Sequence, residues 1–328
     1  MLLPPPKSAW ASFREEFGQR VLLTVDTEEE FDWNAPFRRD GYGLSHIPQL
    51  DRFQSFCEGL GVAPAYLVDW PIATSVEAVE ILGPAVQNGT AELGMQLHPW
   101  VNPPFEEEVN AANSYAGNLP QTLEAEKFSL LRDQIVQAFG TAPLIYRAGR
   151  YGLGDSTGEL LTQAGIAIDS SIRPLFDYSR QAGPDYSAHP LSPYWADQNR
   201  RLLELPVTSV YWGIFRRQGR MIQRMIDGLP RLGSAMARLG LMERIALSPE
   251  GVSADEAIRG IDMALDDGLP LLVLSFHSPS LAPGHTPYVH SAEDVEAIYE
   301  WFTRVFAYLD QRGVKTTSIA EIMRSVVQ

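Results

Sequence analysis

Short apolar runs alternate with amphipathic stretches along almost the whole chain. Runs of strand length fall at residues 21–25, 63–68, 92–97, 144–146, 166–168, 203–207, 271–276 and 314–316. Helical spacing fills the intervals. Phe128, Leu131, Ile135 and Phe139 share one face, with Gly140 placed to end that helix, and Val295, Ile298, Phe302 and Phe306 mark another. Thr74-Ser-Val-Glu77, Ser253-Ala-Asp-Glu256 and Ser318-Ile-Ala-Glu321 have the spacing of capping boxes. Unbroken strand–helix alternation implies a parallel sheet with helices outside. At 328 residues, an α/β fold in the form of a distorted or incomplete (β/α) barrel of about seven parallel strands suits the chain better than two open sheets.

The spacing assigns residues 1–20 to an N-terminal extension and 21–328 to a single barrel domain, with a helical insertion at 215–250. Met221, Met225, Met236 and Met242 are apolar positions of that insertion, which reads as one or two amphipathic helices over residues 221–247. It could pack over the barrel or form an oligomer contact; the oligomeric state is left open. Residues 34–48, 99–120 and 177–200 are rich in Pro, Gly, Asn, Ser and Tyr and should rim a site on one face.

Composition narrows the partners. A net charge of −15 argues against a nucleic acid or an anionic membrane surface. The longest apolar run, residues 269–276, is too short to span a bilayer. The first residues lack a basic stretch followed by an apolar one, so the expected location is cytoplasmic. Cys57 is the only cysteine and shares a helical stretch with Leu50, Phe53 and Leu60, which reads as a buried thiol.

Chemistry gathers at strand ends. Val21-Leu-Leu-Thr-Val-Asp-Thr-Glu-Glu-Glu-Phe-Asp-Trp33 runs an apolar strand into Asp26, Glu28, Glu29, Glu30 and Asp32. Like charges this close call for a cation, an arginine or a proton. Later strands end in Gln96-Leu-His98-Pro-Trp100, in Tyr146-Arg147-Ala-Gly-Arg150-Tyr151-Gly152 and in Leu274-Ser-Phe-His277. Such ends converge in a barrel. Trp33, Trp70, Trp100 and Tyr151 lie just beyond them and suit either stacking on a sugar ring or ordinary packing. His285 and His290 read as surface residues; His46 and His189 lie in loops.

In this order the motifs resemble those of the NodB-homology polysaccharide deacetylases, especially the branch labelled WalW-like, over nearly the whole chain. Thr24-Val-Asp26-Thr27 stands at the family's Thr-Phe-Asp-Asp, and Glu92-Leu-Gly-Met-Gln-Leu-His98-Pro at its His-x-x-x-His motif. Arg147-Ala-Gly-Arg-Tyr-Gly, Ile168-Asp169-Ser-Ser and Leu274-Ser-Phe-His277 stand at the later ones. The resemblance implies hydrolysis of an N-acyl group on an amino sugar of a cell-surface glycan or its precursor, with a carbohydrate partner and a divalent metal, commonly zinc. It implies Asp26 as general base, Arg147 (or Arg150) holding it, and His277 as general acid beside a carboxylate such as Asp169. It leaves Trp33, Trp100, Arg150 and Tyr151 for substrate binding. Thr27 and Gln96 replace usual metal ligands, so Glu28 and His98 become the metal candidates. Three other readings compete: a metal-independent C–N hydrolase of a small molecule (allantoinase-like), a two-carboxylate glycosidase, and a non-catalytic sugar-binding relative.

Overall fold

A computed structural model describes residues 1–226 and 230–327. Strand β1 (Arg20–Thr27) is buried along its whole length, as a strand with a neighbour on each side must be. The sheet extends from it through β2 (Ala65–Val68), β3 (Glu92–Leu97), β4 (Ile145–Ala148), β5 (Ile168–Asp169), β6 (Tyr194–Trp195) and β7 (Leu203–Glu204). Then follow β8 (Ser209–Trp212), β9 (Glu243–Ala246), β10 (Leu271–His277) and β11 (Lys315–Thr316). The main sheet runs β10–β1–β2–β3–β4–β5–β7–β6, with β11 added beside the start of β1. Pairing is parallel from β10 through to β7, and only β6 is antiparallel. The expected seven parallel strands are therefore present.

The sheet curls into a half-barrel. Thr208 bridges its open side: its N–H donates to Val273 O (3.1 Å) and its hydroxyl accepts from Val273 N (2.8 Å). Ser275 N donates to Leu247 O (3.2 Å) just above. Period-two alternation sends Val21, Leu23 and Val25 toward the helices and Leu22, Thr24 and Asp26 inward. The floor is apolar, built by Leu22, Leu67, Ile145, Ile168, Leu203 and Val273. Polar residues begin one step higher.

The helices are α1 (Gln49–Gly59), α2 (Trp70–Thr74), α3 (Val76–Asn88), α4 (Gln121–Phe139), α5 (Thr157–Gln163), α6 (Gly219–Ile226), α7 (Pro230–Arg238), α8 (Ala254–Asp266), α9 (Ala292–Gln311) and α10 (Ile319–Ser325). The apolar faces expected on α4 and α9 are buried, and Gly140 ends α4 in the left-handed region. Cys57 is buried on α1, where burial and the Glu58 charge push its thiol up. No helix among the described residues is long and apolar enough to cross a membrane.

Residues 1–20, the expected N-terminal extension, pack on the barrel: Phe17 belongs to its floor, Phe13 bridges Val326 and Trp10 bridges Tyr194. Two expectations need correction. The 215–250 insertion is not wholly helical. Gly240, at φ +65°, follows the end of α7, and β9 returns antiparallel to β8 with Ile245 buried against α8. Four residues of alternation are too few to read against two preceding helices. The first capping signal is also displaced by one residue. Ser75, not Thr74, caps α3 by accepting from Ala78 N, while Asp69 caps α2 by accepting from Ile72 N. Ser75→Ala should therefore cost about 1 kcal/mol, the usual worth of an N-cap side chain. Thr74→Ala should cost less, and urea unfolding of the two variants distinguishes them.

Candidate active site

Asp26 leaves the end of β1 pointing into the barrel, where Arg147 from β4 meets it. Both are buried, and Nη1 of Arg147 donates to Asp26 Oδ1. The guanidinium also donates to Ser275 Oγ (2.8 Å), Thr24 Oγ1 (3.0 Å), Ser170 Oγ (3.0 Å) and Ser170 O (2.8 Å). Arg147 thereby ties β1, β4, β10 and the segment after β5 to one point. Its geometry is bound up with Asp26, so it positions the carboxylate rather than facing a reactant.

The chain beyond Asp26 keeps alternating. Thr27 turns its hydroxyl back onto Val25 O (2.9 Å). Glu28 points into the cavity, and Glu29 points away from it to His98 and Trp100. Glu30 turns outward, taking the His46 ring (2.9 Å) and the Ser45 hydroxyl (2.8 Å). Burial would raise Glu30, but the bonds from His46 and Ser45 hold it down at about 2.

His98 is fixed from behind. Its Nδ1–H donates to Glu29 Oε2 (2.9 Å), and the Trp100 indole N–H donates to Glu29 Oε1 (2.7 Å). The Trp100 ring lies on the imidazole at 4.3 Å and 22°. Asp69 supports the same corner by accepting from Glu29 N (3.0 Å); burial and the adjoining Glu29 push Asp69 well above the ordinary carboxylate range. A Cβ on Gly149 would come within 2.5 Å of both His98 Cδ2 and Leu97 O, so only glycine lets the end of β4 lie this close.

With Nδ1 engaged, Nε2 of His98 is left for the cavity, 3.4 Å from Glu28 Oε2. Glu28 Oε1 and Gln96 Oε1 are buried there without hydrogen-bond partners. Burial, reinforced by Glu29 and Asp26 and opposed by His277 and His98, pushes Glu28 up to about 8. Two orphaned oxygens and an oriented imidazole are a nitrogen–oxygen donor set of the kind divalent ions take. Glu29, Asp69 and His98 also bring donor atoms within 4.8 Å of one another. Those atoms are already spent on each other and on Trp100, and neither Glu29 nor Asp69 reaches the cavity. The cation site that fits is Glu28, Gln96 and His98. Gln96 was read from the sequence as a weak replacement for a ligand; the structure adds that its carboxamide oxygen is buried without a hydrogen-bond partner.

His277 ends β10 with Nε2 3.7 Å from Asp26 Oδ2. Its carboxylate partner is Glu250, not the expected Asp169. Nδ1–H donates to Glu250 Oε2 (2.8 Å), and Oε1 of Glu250 accepts from Ser280 Oγ (2.5 Å) and His277 N (3.3 Å). Burial opposes charge on the ring, but Glu250, Glu28 and Asp26 outweigh it and raise His277 to about 10. Asp169 sits instead against Ser171 Oγ (2.5 Å) and Glu204, on a strand remote from β10 in the sheet order. Glu250 lies in the connection between β9 and α8, where no spacing or periodicity marks it.

Asp26, Glu28, Gln96, His98, Arg147, Glu250 and His277 line one cavity of about 330 Å³. Trp33 and Tyr151 line it too, Trp33 edge-on to His277 (4.9 Å, 86°) and Tyr151 stacked with Tyr178 (6.0 Å, 13°). Trp100 reaches it but is 2% exposed, its face given to His98. Arg150 lines it from a left-handed backbone position, φ +56°, as does Tyr151 at +61°. Such strain is common beside functional sites. Trp70 does not line this cavity.

The half-barrel is a distorted (β/α) barrel with a solved counterpart. A Mycobacterium smegmatis protein described as a candidate polysaccharide deacetylase shares it with a TM-score of 0.53 and 18% identity, over 99% of this chain and 94% of that one. The Bc1960 peptidoglycan N-acetylglucosamine deacetylase aligns at 0.46 and 12%, over 97% and 96%. A CE4-family pseudoenzyme from Bacillus anthracis, BA3943, aligns at 0.44 and 9%, over 95% and 67%. The first likeness establishes the fold; the lower scores add nothing to it. No protein-family model and no curated protein sequence matches the chain.

Four variants test the geometry. Glu250→Gln should lower the titration midpoint of His277 by about one pH unit or more, the usual effect of losing an adjacent opposite charge, read by NMR of the imidazole protons. Glu29→Gln should weaken binding of a divalent ion about 10–100-fold, as loss of an orienting partner does. His98→Ala should abolish it and Gln96→His should strengthen it, read by competition with a metal-sensitive dye.

Proposed function

We propose that this chain is a hydrolase that cleaves the N-acyl amide of an amino sugar belonging to a cell-surface glycan or its precursor. The observation that carries the reading is the pairing of a braced carboxylate and a braced imidazolium across one cavity. Asp26, oriented by Arg147, accepts a proton from water as it attacks the amide carbonyl. His277 is protonated below about pH 10, and Glu250 holds it so that Nε2–H faces the cavity. That proton goes to the departing amine as the C–N bond breaks, leaving a free amino sugar and a carboxylate. Glu28, Gln96 and His98 would hold a divalent ion, which when bound would polarise water and carbonyl. Trp33 and Tyr151 supply aromatic surface for the sugar ring. Assignment to the WalW-like branch, and zinc as the ion, are part of the same proposal.

One observation favours a second reading. Gln96 is a neutral, weak donor, which suits a metal-independent hydrolase of a small C–N compound. A chelator separates the two: turnover that survives it, on a small C–N compound carrying no acetyl group, supports the second.

The first test is acetate release from N-acetylglucosamine oligomers and N-acetylated glycan fragments. Asp26→Asn and His277→Ala should each lower turnover by about 10²–10⁴-fold, the typical worth of general acid–base groups, while circular dichroism stays unchanged. Activity that falls as pH rises through about 10 would match loss of the His277 proton. Full activity in either variant would sink the assignment.

A further inference from the structure

The same cavity holds two cations that the proposed reaction does not use. Arg173, just beyond β5, lies over Phe176 (3.9 Å) and near Tyr151 (5.3 Å). Its Nη1 makes one long bond to the Tyr178 hydroxyl (3.4 Å), and its Nε is buried with no partner. Arg150 donates to Ala111 O (3.2 Å), Ser114 Oγ (2.5 Å) and Gln181 Oε1 (2.8 Å), and stacks on Tyr115 (4.1 Å). All these partners are neutral.

Among the described residues, neither arginine has a carboxylate within ion-pair distance, although the chain carries 41 acidic residues and a net charge of −15. Arginines elsewhere do find acids: Arg147 pairs with Asp26 and Arg259 with Glu243. A guanidinium on a cavity wall, held by aromatic rings and with N–H groups to spare, suits a planar anion taken by two parallel bonds. A neutral sugar would leave that charge unmatched.

We propose that Arg173, with Arg150, forms a subsite for an anionic group of the substrate, a carboxylate or phosphate carried near the amide. The identity of the amide rests on the function proposed above; the anion subsite does not. An acidic N-acylated sugar is thus the substrate class. Arg173 would make the direct contact through the guanidinium N–H groups it turns to the cavity, and Arg150 would add charge from its fixed position.

The test is calorimetric binding to the full chain of matched sugars. N-acetylglucosamine is the neutral probe. N-acetylmuramic acid adds a carboxylate, N-acetylglucosamine 1-phosphate and 6-phosphate add phosphate, and glucuronate carries a carboxylate without the amide. At least one anionic sugar should bind about tenfold or more tightly than the neutral one, and the preference should shrink with added salt. Which anion wins separates a carboxylate from a phosphate. Arg173→Gln should remove the preference and Arg173→Lys should keep part of it, with thermal melting showing that both variants fold.

Equal binding of neutral and anionic sugars, or no binding of any anionic one, would overturn the subsite. So would an Arg173→Gln variant that weakens both kinds in the same proportion, since that marks a structural role. Glucuronate binding lost in Arg173→Gln, without acetate release from any sugar, would keep the subsite and remove the deacetylase reading. Acetate release without anionic preference would do the reverse.

Discussion

The buried contact between Arg147 and Asp26 is the constraint on which the site depends. Two charges taken from water into the barrel cost several kcal/mol each unless their remaining hydrogen-bonding groups are met. Here they are met: Arg147 places its donors on Asp26, Thr24, Ser275 and Ser170. Removing one partner would strand the other, an effect of about 3–5 kcal/mol in comparable pairs. The same bonds fix β1, β4 and β10 relative to one another, so the orientation of Asp26 and the curl of the half-barrel are a single feature. His277, on β10 directly beside Asp26 in register, inherits its place from that alignment.

Around this pair the acids are sorted by direction. Glu28, Glu29 and Glu30 are adjacent in sequence, yet they serve three environments: the cavity, the back of His98, and the buried ring of His46. Alternation beyond the strand end separates them, so their mutual repulsion is relieved by different partners. Glu29 is the most consequential of the three for the imidazole. By occupying Nδ1 it decides which nitrogen of His98 faces Glu28, and Trp100 closes the remaining side. A residue read for sugar stacking thus serves chiefly as the wall behind a histidine.

Charge over the whole chain and charge in the cavity tell different stories. The net −15 describes mostly solvated acids, whose influence is screened within about 8 Å at physiological ionic strength. Inside the cavity, acids gather with His277 and His98, while Arg150 and Arg173 stand among aromatic rings, without acid partners among the described residues. A substrate meets that local arrangement and not the average.

Much of this was legible in the order of residues. Period-two and helical spacing located the parallel strands, because a buried strand and an amphipathic helix each impose a repeat on apolar positions. Residues at strand ends, Asp26, His98, Arg147 and His277, could be grouped because parallel strands deliver their C-terminal ends to one face. What alternation cannot encode was hidden. Glu250 comes from a connection with no repeat, and Asp169 looked equally suitable as partner to His277 until sheet order put it several strands away. Thr74 and Ser75 both offered a capping hydroxyl; the backbone path alone selected Ser75. Gln96 looked like a missing ligand until its oxygen was found buried and unpaired in the cavity that Glu28 also lines. By itself, then, the sequence determined the barrel, its strands and the residues at their ends, since these follow from local periodicity. The tertiary structure alone decided which acid meets which base, because that depends on distances between segments far apart in the chain.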